Sequence, residues 1–338
     1  MQGHEIEITP DILNLVAEID EFKGRWESLG QLVPTRLNAL KKIAAVKSVA
    51  SAARLGGIQC SDRQVGEILS GKIGPANTLT EENRAFIEGY RLVHNLVYSS
   101  YDQISFIENH VLQMHKLLFK KFDKPDFTPG EYRLGEPRWT SENLISSATG
   151  ADKVHDRING LILWVNQVMN EHILHPLLVV ALFNNHFYKI QPFTTGNLRM
   201  AQTITALLLL RSGYAYLPFN NLEYFFEISK NKYDNLLNNG ETPPEEWIRF
   251  FLHVFKDHKE SLTHKIEREK SLVSLPGNLW EIVQLVRERG RASISQIREA
   301  TGANRNTLKI RLRKLVADNY LEMTGKGKGT RYKIGSVV

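Results

Sequence analysis

Residues 189–202 read KIQPFTTGNLRMAQ, and their types suit the holding of an anion better than a reaction. Gly196 lets the chain turn with its amides facing inward, and Leu198 opens a helix whose N-terminus carries partial positive charge. Arg199, in the first turn, can add a guanidinium to a phosphate oxygen. Thr195, Asn197 and Gln202 supply uncharged polar groups around it. The stretch has no histidine, carboxylate or cysteine, and the amide of Gln191 is not a base at neutral pH.

A second set of groups lies near the other end. In 304–318, Leu308, Leu312, Leu315 and Val316 share one helical face. That leaves Asn306, Ile310 and Arg313 on the other, with Thr307 and Lys309 alongside and Arg305 at the start. Arg and Asn suit bidentate contacts with guanine and adenine edges, while Lys326, Lys328 and Arg331 in the Gly-rich segment that follows suit phosphates. Residues 271–338 hold 13 Lys+Arg against 5 Asp+Glu, a net +8 in a chain whose total is +6. This local charge favours nucleic acid over the other common use of such a module, protein–protein contact.

The elements that must position these residues are mostly helical. TPDILNLVAEIDEFKGRWESL begins with Thr9 and Pro10, a cap and first-turn pair, and Ile12, Leu15, Val16, Ile19 and Phe22 recur at steps of three and four. Similar spacing predicts helices over 35–55, about 80–120, 154–170, 176–188, 198–211, 221–237 and 244–268. Gly and Pro interrupt the pattern at 130–147, where a small hairpin is expected. A boundary is expected at 271–278, SLVSLPGN. Beyond it come a helix at 279–289, a second from Ser293 closed by Gly302, a third from Asn304, and two short strands, YLEM and RYKI. Helix, helix, helix, hairpin is the order of a winged helix-turn-helix.

The central stretch and its surroundings resemble the Fic (Fido) family. The resemblance is carried by PGEYR at 129–133, by PLLVVALFNNHFYKI followed by QPFTTGNLRMAQ, and by ITPDILNLVAEIDEFKGRW near the start; it covers residues 9–265. The family signature is HPFx(D/E)GNGRxxR between two helices, and members transfer AMP from ATP to a hydroxyl on a target protein. Pro192, Phe193, Gly196, Asn197 and Arg199 match it. The resemblance implies a mainly α fold with a small β-hairpin flap, and the winged helix is a common appendage to it. The parts expected are an N-terminal helical region at 1–110, a Fic core at 111–270 and the basic module at 271–338.

The departures concern the chemistry. Gln191 stands where the family has its general-base histidine, and Thr195 where it has the acid that holds magnesium. Leu198 replaces the second glycine and Gln202 the second arginine. The segment SVASAARLGGI, 48–58, resembles the inhibitory helix (S/T)xxxE(G/N), with Gly57 kept, Gly56 at the glutamate position and Ala52 at the hydroxyl position. Three readings of the stretch stand at this stage. It is a helix–loop–helix joint with Phe193 in the core, an anion or nucleotide site built on residues 195–202, or an active transferase with another base. ATP and magnesium belong only to the last. His186, five residues before Gln191, is the nearest histidine and is assigned no role.

The partners implied are DNA through the last module, a target protein aligned by the flap at 131–147 with Arg138 and Trp139 as contact residues, and a second copy of the chain, since Fic domains pair through helical faces. The polar, acidic start and the lack of any apolar run near the ~20 residues that span a bilayer lead us to expect a cytoplasmic protein without membrane contact. One cysteine, Cys60, excludes an internal disulfide. His172 and His175 are expected as packing or surface residues and no metal site is expected.

Overall fold

The computed structural model describes residues 6–29, 34–75, 77–122, 127–137, 149–238, 242–273, 275–325 and 327–335. The chain divides into two compact units, Met1–Lys259 and Glu260–Val338. Residues 1–110 and residues 111–259 of the expected Fic core fall together in the first, and the division lies inside a helix rather than at the Pro-Gly pair that follows it.

The described residues of the first unit are helical, in the order α1 (Pro10–Leu29), α2 (Pro34–Leu55), α3 (Asp62–Ser70), α4 (Glu81–Ser100), α5 (Glu108–Leu118), α6 (Val154–Asn170), α7 (Pro176–Ile190), α8 (Asn197–Arg211), α9 (Leu222–Ile228), α10 (Lys230–Asn238) and the start of α11 (Pro244–Val273). The periodicity of α1 is used as written: Ile12, Leu15, Ile19 and Phe22 are buried while their neighbours face outward. The helical region expected over 80–120 is two helices, α4 and α5. The short α3, which was not anticipated, begins with a capping box in which Ser61 Oγ accepts from Gln64 N–H and the Gln64 side chain answers the Ser61 N–H.

α7 and α8 are the interior of this unit. Every side chain from Asn197 to Leu210 is buried, as are almost all from Leu177 to Ile190, so both helices are packed around nearly their whole circumference. α6 packs on α7, and α4 packs on α8 and α5. α7 starts at Pro176 behind His175, whose Nδ1 accepts from Leu177 N–H and whose Nε2–H donates to Asp20 Oδ2 at 2.9 Å. His175 is therefore a structural cap. Among the described residues no three His, Cys, Asp or Glu are grouped as metal ligands would be.

The second unit contains α12 (Gly277–Arg289), β1 (Arg291–Ala292), α13 (Ile294–Thr301), α14 (Arg305–Ala317), β2 (Leu321–Thr324) and β3 (Arg331–Ile334). The strands form an antiparallel sheet in the order β1-β3-β2, with Tyr332 opposite Ala292 on one side and Met323 on the other. The two-residue β1 was not expected. Ser293 and Gln296 form a capping box, Gly302 ends α13 in the left-handed conformation, and Asn304 caps α14 by accepting from Asn306 N–H. Leu308, Leu312 and Leu315 meet Ile282, Val286 and Ile297 in a core of this unit's own. Among the described residues, no helix is long and apolar enough to cross a membrane.

Candidate functional site

The QPFTTGNLRMAQ turn joins α7 to α8, and several groups hold its shape. Gln191 ends α7 at φ 47°, in the left-handed region that a side chain with a Cβ disfavours. Arg133 holds it there. The Nε of Arg133 donates to the Gln191 carbonyl at 2.6 Å, its guanidinium also reaches the carbonyls of Ile190, Thr149 and Gly135, and its backbone N–H donates to Pro192 O. An arginine that is 3 % exposed is thus spent on main-chain carbonyls.

Two residues downstream, Phe193 is fully buried and stacks on His115 with centroids 3.7 Å apart and planes at 6°. The reading of Phe193 as a core residue is met. His115 comes from the buried face of α5, and both its nitrogens are occupied: Nδ1 accepts from Gly130 N–H at 2.9 Å, and Nε2–H donates to Thr195 O at 3.1 Å. Burial pushes its imidazole down to about 4, against the small upward pull of the Thr195 carbonyl, so it is neutral at pH 7. Asn197 closes the turn by accepting from Phe193 N–H at 2.9 Å and donating to Phe193 O at 2.8 Å.

Gly196 sits at φ 80°, and a Cβ there would lie 2.6 Å from the Phe119 ring. No other residue fits both constraints. Thr194 and Thr195 are half-buried, while Leu198 and Gln202 are buried, at 2 % and 5 % exposure. The Oε1 atoms of Gln191 and Gln202 are buried and accept no hydrogen bond among the described residues.

Arg199 is 3 % exposed, and its guanidinium carbon lies 4.8 Å over the Phe86 ring. The segment resembling an inhibitory helix is brought to this point. A Cβ built on Gly56 would stand 2.1 Å from an Arg199 terminal nitrogen, so glycine at the glutamate position admits the guanidinium. The contact is with the signature's first arginine, whereas the family's brake pairs with the second, here Gln202. Gly57 turns the chain out of α2 at φ 82°, and Ala52 is buried. α2 is held on α9 by Arg54, which bonds Glu227 and, at 3.0 Å, Asp62, and by Asn221, whose amide donates to Ser51. The Glu227 carboxylate, and with it that of Asp62, draws the Arg54 guanidinium's pKa above its ordinary value.

Sequence reasoning missed His115 and the use of Arg133. The first carried a signal: it falls on the apolar face of α5 with Val111, Met114 and Leu118. The second did not, because its partners are carbonyls about sixty residues away.

In the second unit, Arg305, Asn306, Thr307, Lys309 and Arg313 are all exposed on α14, beside Ile310 at 68 % exposure, while the leucines of the same helix are buried. Arg331 is exposed at the start of β3; Lys326 and the Lys328 side chain lie outside the described residues. So does most of the expected flap, Arg138 and Trp139 included; residues 131–137 are described and form no strand.

The chain is similar over 98 % of its length to a Fic family protein from Desulfovibrio desulfuricans G20, with a TM-score of 0.63, 21 % identity and 97 % of that chain covered. A Fic domain containing signalling protein from Bacteroides thetaiotaomicron VPI-5482 gives 0.61 at 18 % identity, covering 75 % of this chain and 98 % of that one. A fragment of Fic-1 from C. elegans gives 0.59 at 18 % identity, over 78 % and 72 %. None of the curated proteins matches the sequence. These likenesses establish the fold. The Fic/DOC family model matches residues 104–209, the segment that runs from α5 through the His115 clamp and the α7–α8 turn, and this segment is a Fic/DOC domain.

Proposed function

We infer that this Fic-family protein no longer transfers AMP and acts as a DNA-associated or target-binding regulator. The observation that carries the first half is the commitment of His115. It is the histidine in contact with the turn, and it is neutral, stacked on Phe193, and bonded at both nitrogens. It cannot take over the proton abstraction that Gln191 is unable to perform. The residues present do not fit an ATP–magnesium complex either. Thr195 brings no carboxylate, Leu198 fills the space beside the turn, and Arg199 is packed under Phe86 and against Gly56.

What supports the second half is α14. One side of it is buried in leucine and the other offers Arg305, Asn306, Thr307, Lys309 and Arg313 to solvent, the division that a winged-helix recognition element needs. The net charge of +8 over 271–338 supplies the phosphate attraction.

Calorimetric titration of the chain with ATP, with and without magnesium, tests the first half. Weak binding that magnesium does not change is expected, together with no label transferred from α-phosphate-labelled ATP. A micromolar, magnesium-dependent dissociation constant overturns it.

A further inference from the structure

α6 and α7 border an open cavity of about 250 Å³ that belongs to neither site above. Lys153 and Arg157 line it from the start of α6, His186 and Lys189 from the last turns of α7, and Thr149 and Ile190 complete the wall used here. Among the described residues, Lys153, Arg157 and Lys189 make no ion pair. The acidic side chains of the same turn, Asp152 and Asp156, are not in the lining, and Asp156 lies 3.7 Å from His155. Lys189 is half-buried, and burial alone pushes its ammonium pKa down, the cost of a desolvated cation without a counter-charge.

We propose that this cavity binds a phosphomonoester dianion. Its terminal oxygens answer the lysines and the arginine together, whereas a monocarboxylate leaves most of the positive charge unopposed. At about 30 Å³ per water-sized group, the space holds roughly eight such groups, a phosphate and a short organic remainder. The ligand is therefore the size of glycerol 3-phosphate or of a phosphoserine side chain. The wall is shared with the motif turn: the Arg133 guanidinium that holds Gln191 O also bonds the carbonyls of Thr149 and Ile190. The site nevertheless uses none of residues 191–202 and stands whether or not the turn binds a nucleotide.

Calorimetry on the full chain at low salt tests it, with inorganic phosphate, glycerol 3-phosphate, a phosphoserine peptide, its unphosphorylated form and acetate as probes. Saturable binding of the phosphate probes is expected, at least tenfold tighter than acetate. Lys153 and Arg157 are exposed, so Lys153→Gln with Arg157→Gln leaves the melting temperature unchanged and weakens binding at least tenfold. Lys309→Gln with Arg313→Gln, on the basic helix of the other unit, leaves it unchanged. Tighter binding of glycerol 3-phosphate than of the phosphopeptide assigns the ligand to small metabolites, and the reverse assigns it to a phosphorylated target; both support the site. Absence of saturable binding to every phosphate probe overturns it, as does binding that survives the Lys153/Arg157 double variant.

Discussion

Arg199 was expected to meet a phosphate and Arg313 a base edge, and the fold treats the two arginines in opposite ways. Arg199 is 3 % exposed, under the Phe86 ring and against Gly56, in a helix with no solvent side over Asn197–Leu210. Arg313 is exposed on α14, next to the buried Leu312. A guanidinium that has lost its water must recover the loss from fixed neighbours, and it then serves the fold. One that keeps its water can exchange it for a phosphate or a base edge at small cost. A place on a helix is common to both; long-range packing separates them.

The largest effect expected is in catalysis. Gln191→His alone restores no AMP transfer, because a base without a held triphosphate has nothing to act on; adding Thr195→Asp, Leu198→Gly and Gln202→Arg does. A positioned base contributes about 10²–10⁴-fold, and transfer of label from α-phosphate-labelled ATP measures it. Robust transfer by the single variant removes the contrast between the two regions, since the buried turn is then still a working site. Leu198 is buried, so the fourfold variant loses about 2–5 kcal/mol of stability, to be followed by melting.

Next in size is the comparison itself. Arg199→Ala opens a void beside Phe86 and Gly56 and costs about 2–4 kcal/mol, whereas Arg313→Ala changes stability by less than about 0.5 kcal/mol. Denaturant titration of the two variants decides it, and equal losses sink the distinction.

The His115 clamp gives a pH dependence. Its folded-state pKa, about 4, lies below the ordinary imidazole value of about 6.5. The unfolded chain takes up the proton first as pH falls, so the full stability is present above about pH 6.5 and is lost progressively toward pH 4, by about 3 kcal/mol. His94, also held down by burial, adds a slope of the same sign. His115→Gln flattens the stability–pH profile between those limits and lowers stability at pH 7 by about 1–3 kcal/mol through the lost Gly130 and Thr195 bonds; a profile unchanged by the substitution refutes the assignment.

The smallest effects lie on the exposed side. On the proposed DNA-associated role, Arg313→Ala or Asn306→Ala in the full chain costs roughly 1–3 kcal/mol on a site selected from random duplexes. Replacing Lys326 and Lys328 together weakens all sequences alike and reduces the log–log salt slope by about 1–2. Failure of any sequence to enrich makes this module one for protein contact.

Much was determined by the sequence alone, for a physical reason: the interactions concerned close within a few residues. The spacing of Ile12, Leu15, Ile19 and Phe22 names the buried face of α1, and Ser293 with Gln296 names the start of α13. The same signal, Ser61 with Gln64, was present before α3 and was overlooked. Burial of Leu308, Leu312 and Leu315 followed from their period. The turn at Gly196 followed from its glycine, and the family from the signature around it. Tertiary structure alone decided the rest. It split 80–120 into α4 and α5, paired the two residues of β1 with β3, stacked His115 on Phe193, and turned Arg133 onto the carbonyls of α7. It also set Gly56 against Arg199 and gathered Lys153, Arg157 and Lys189 around one cavity. Apart from the split of 80–120, each of these joins segments far apart in the sequence. Periodicity and capping carry no record of which faces will meet, so only the packed chain assigns an arginine to a ring, a carbonyl or the solvent.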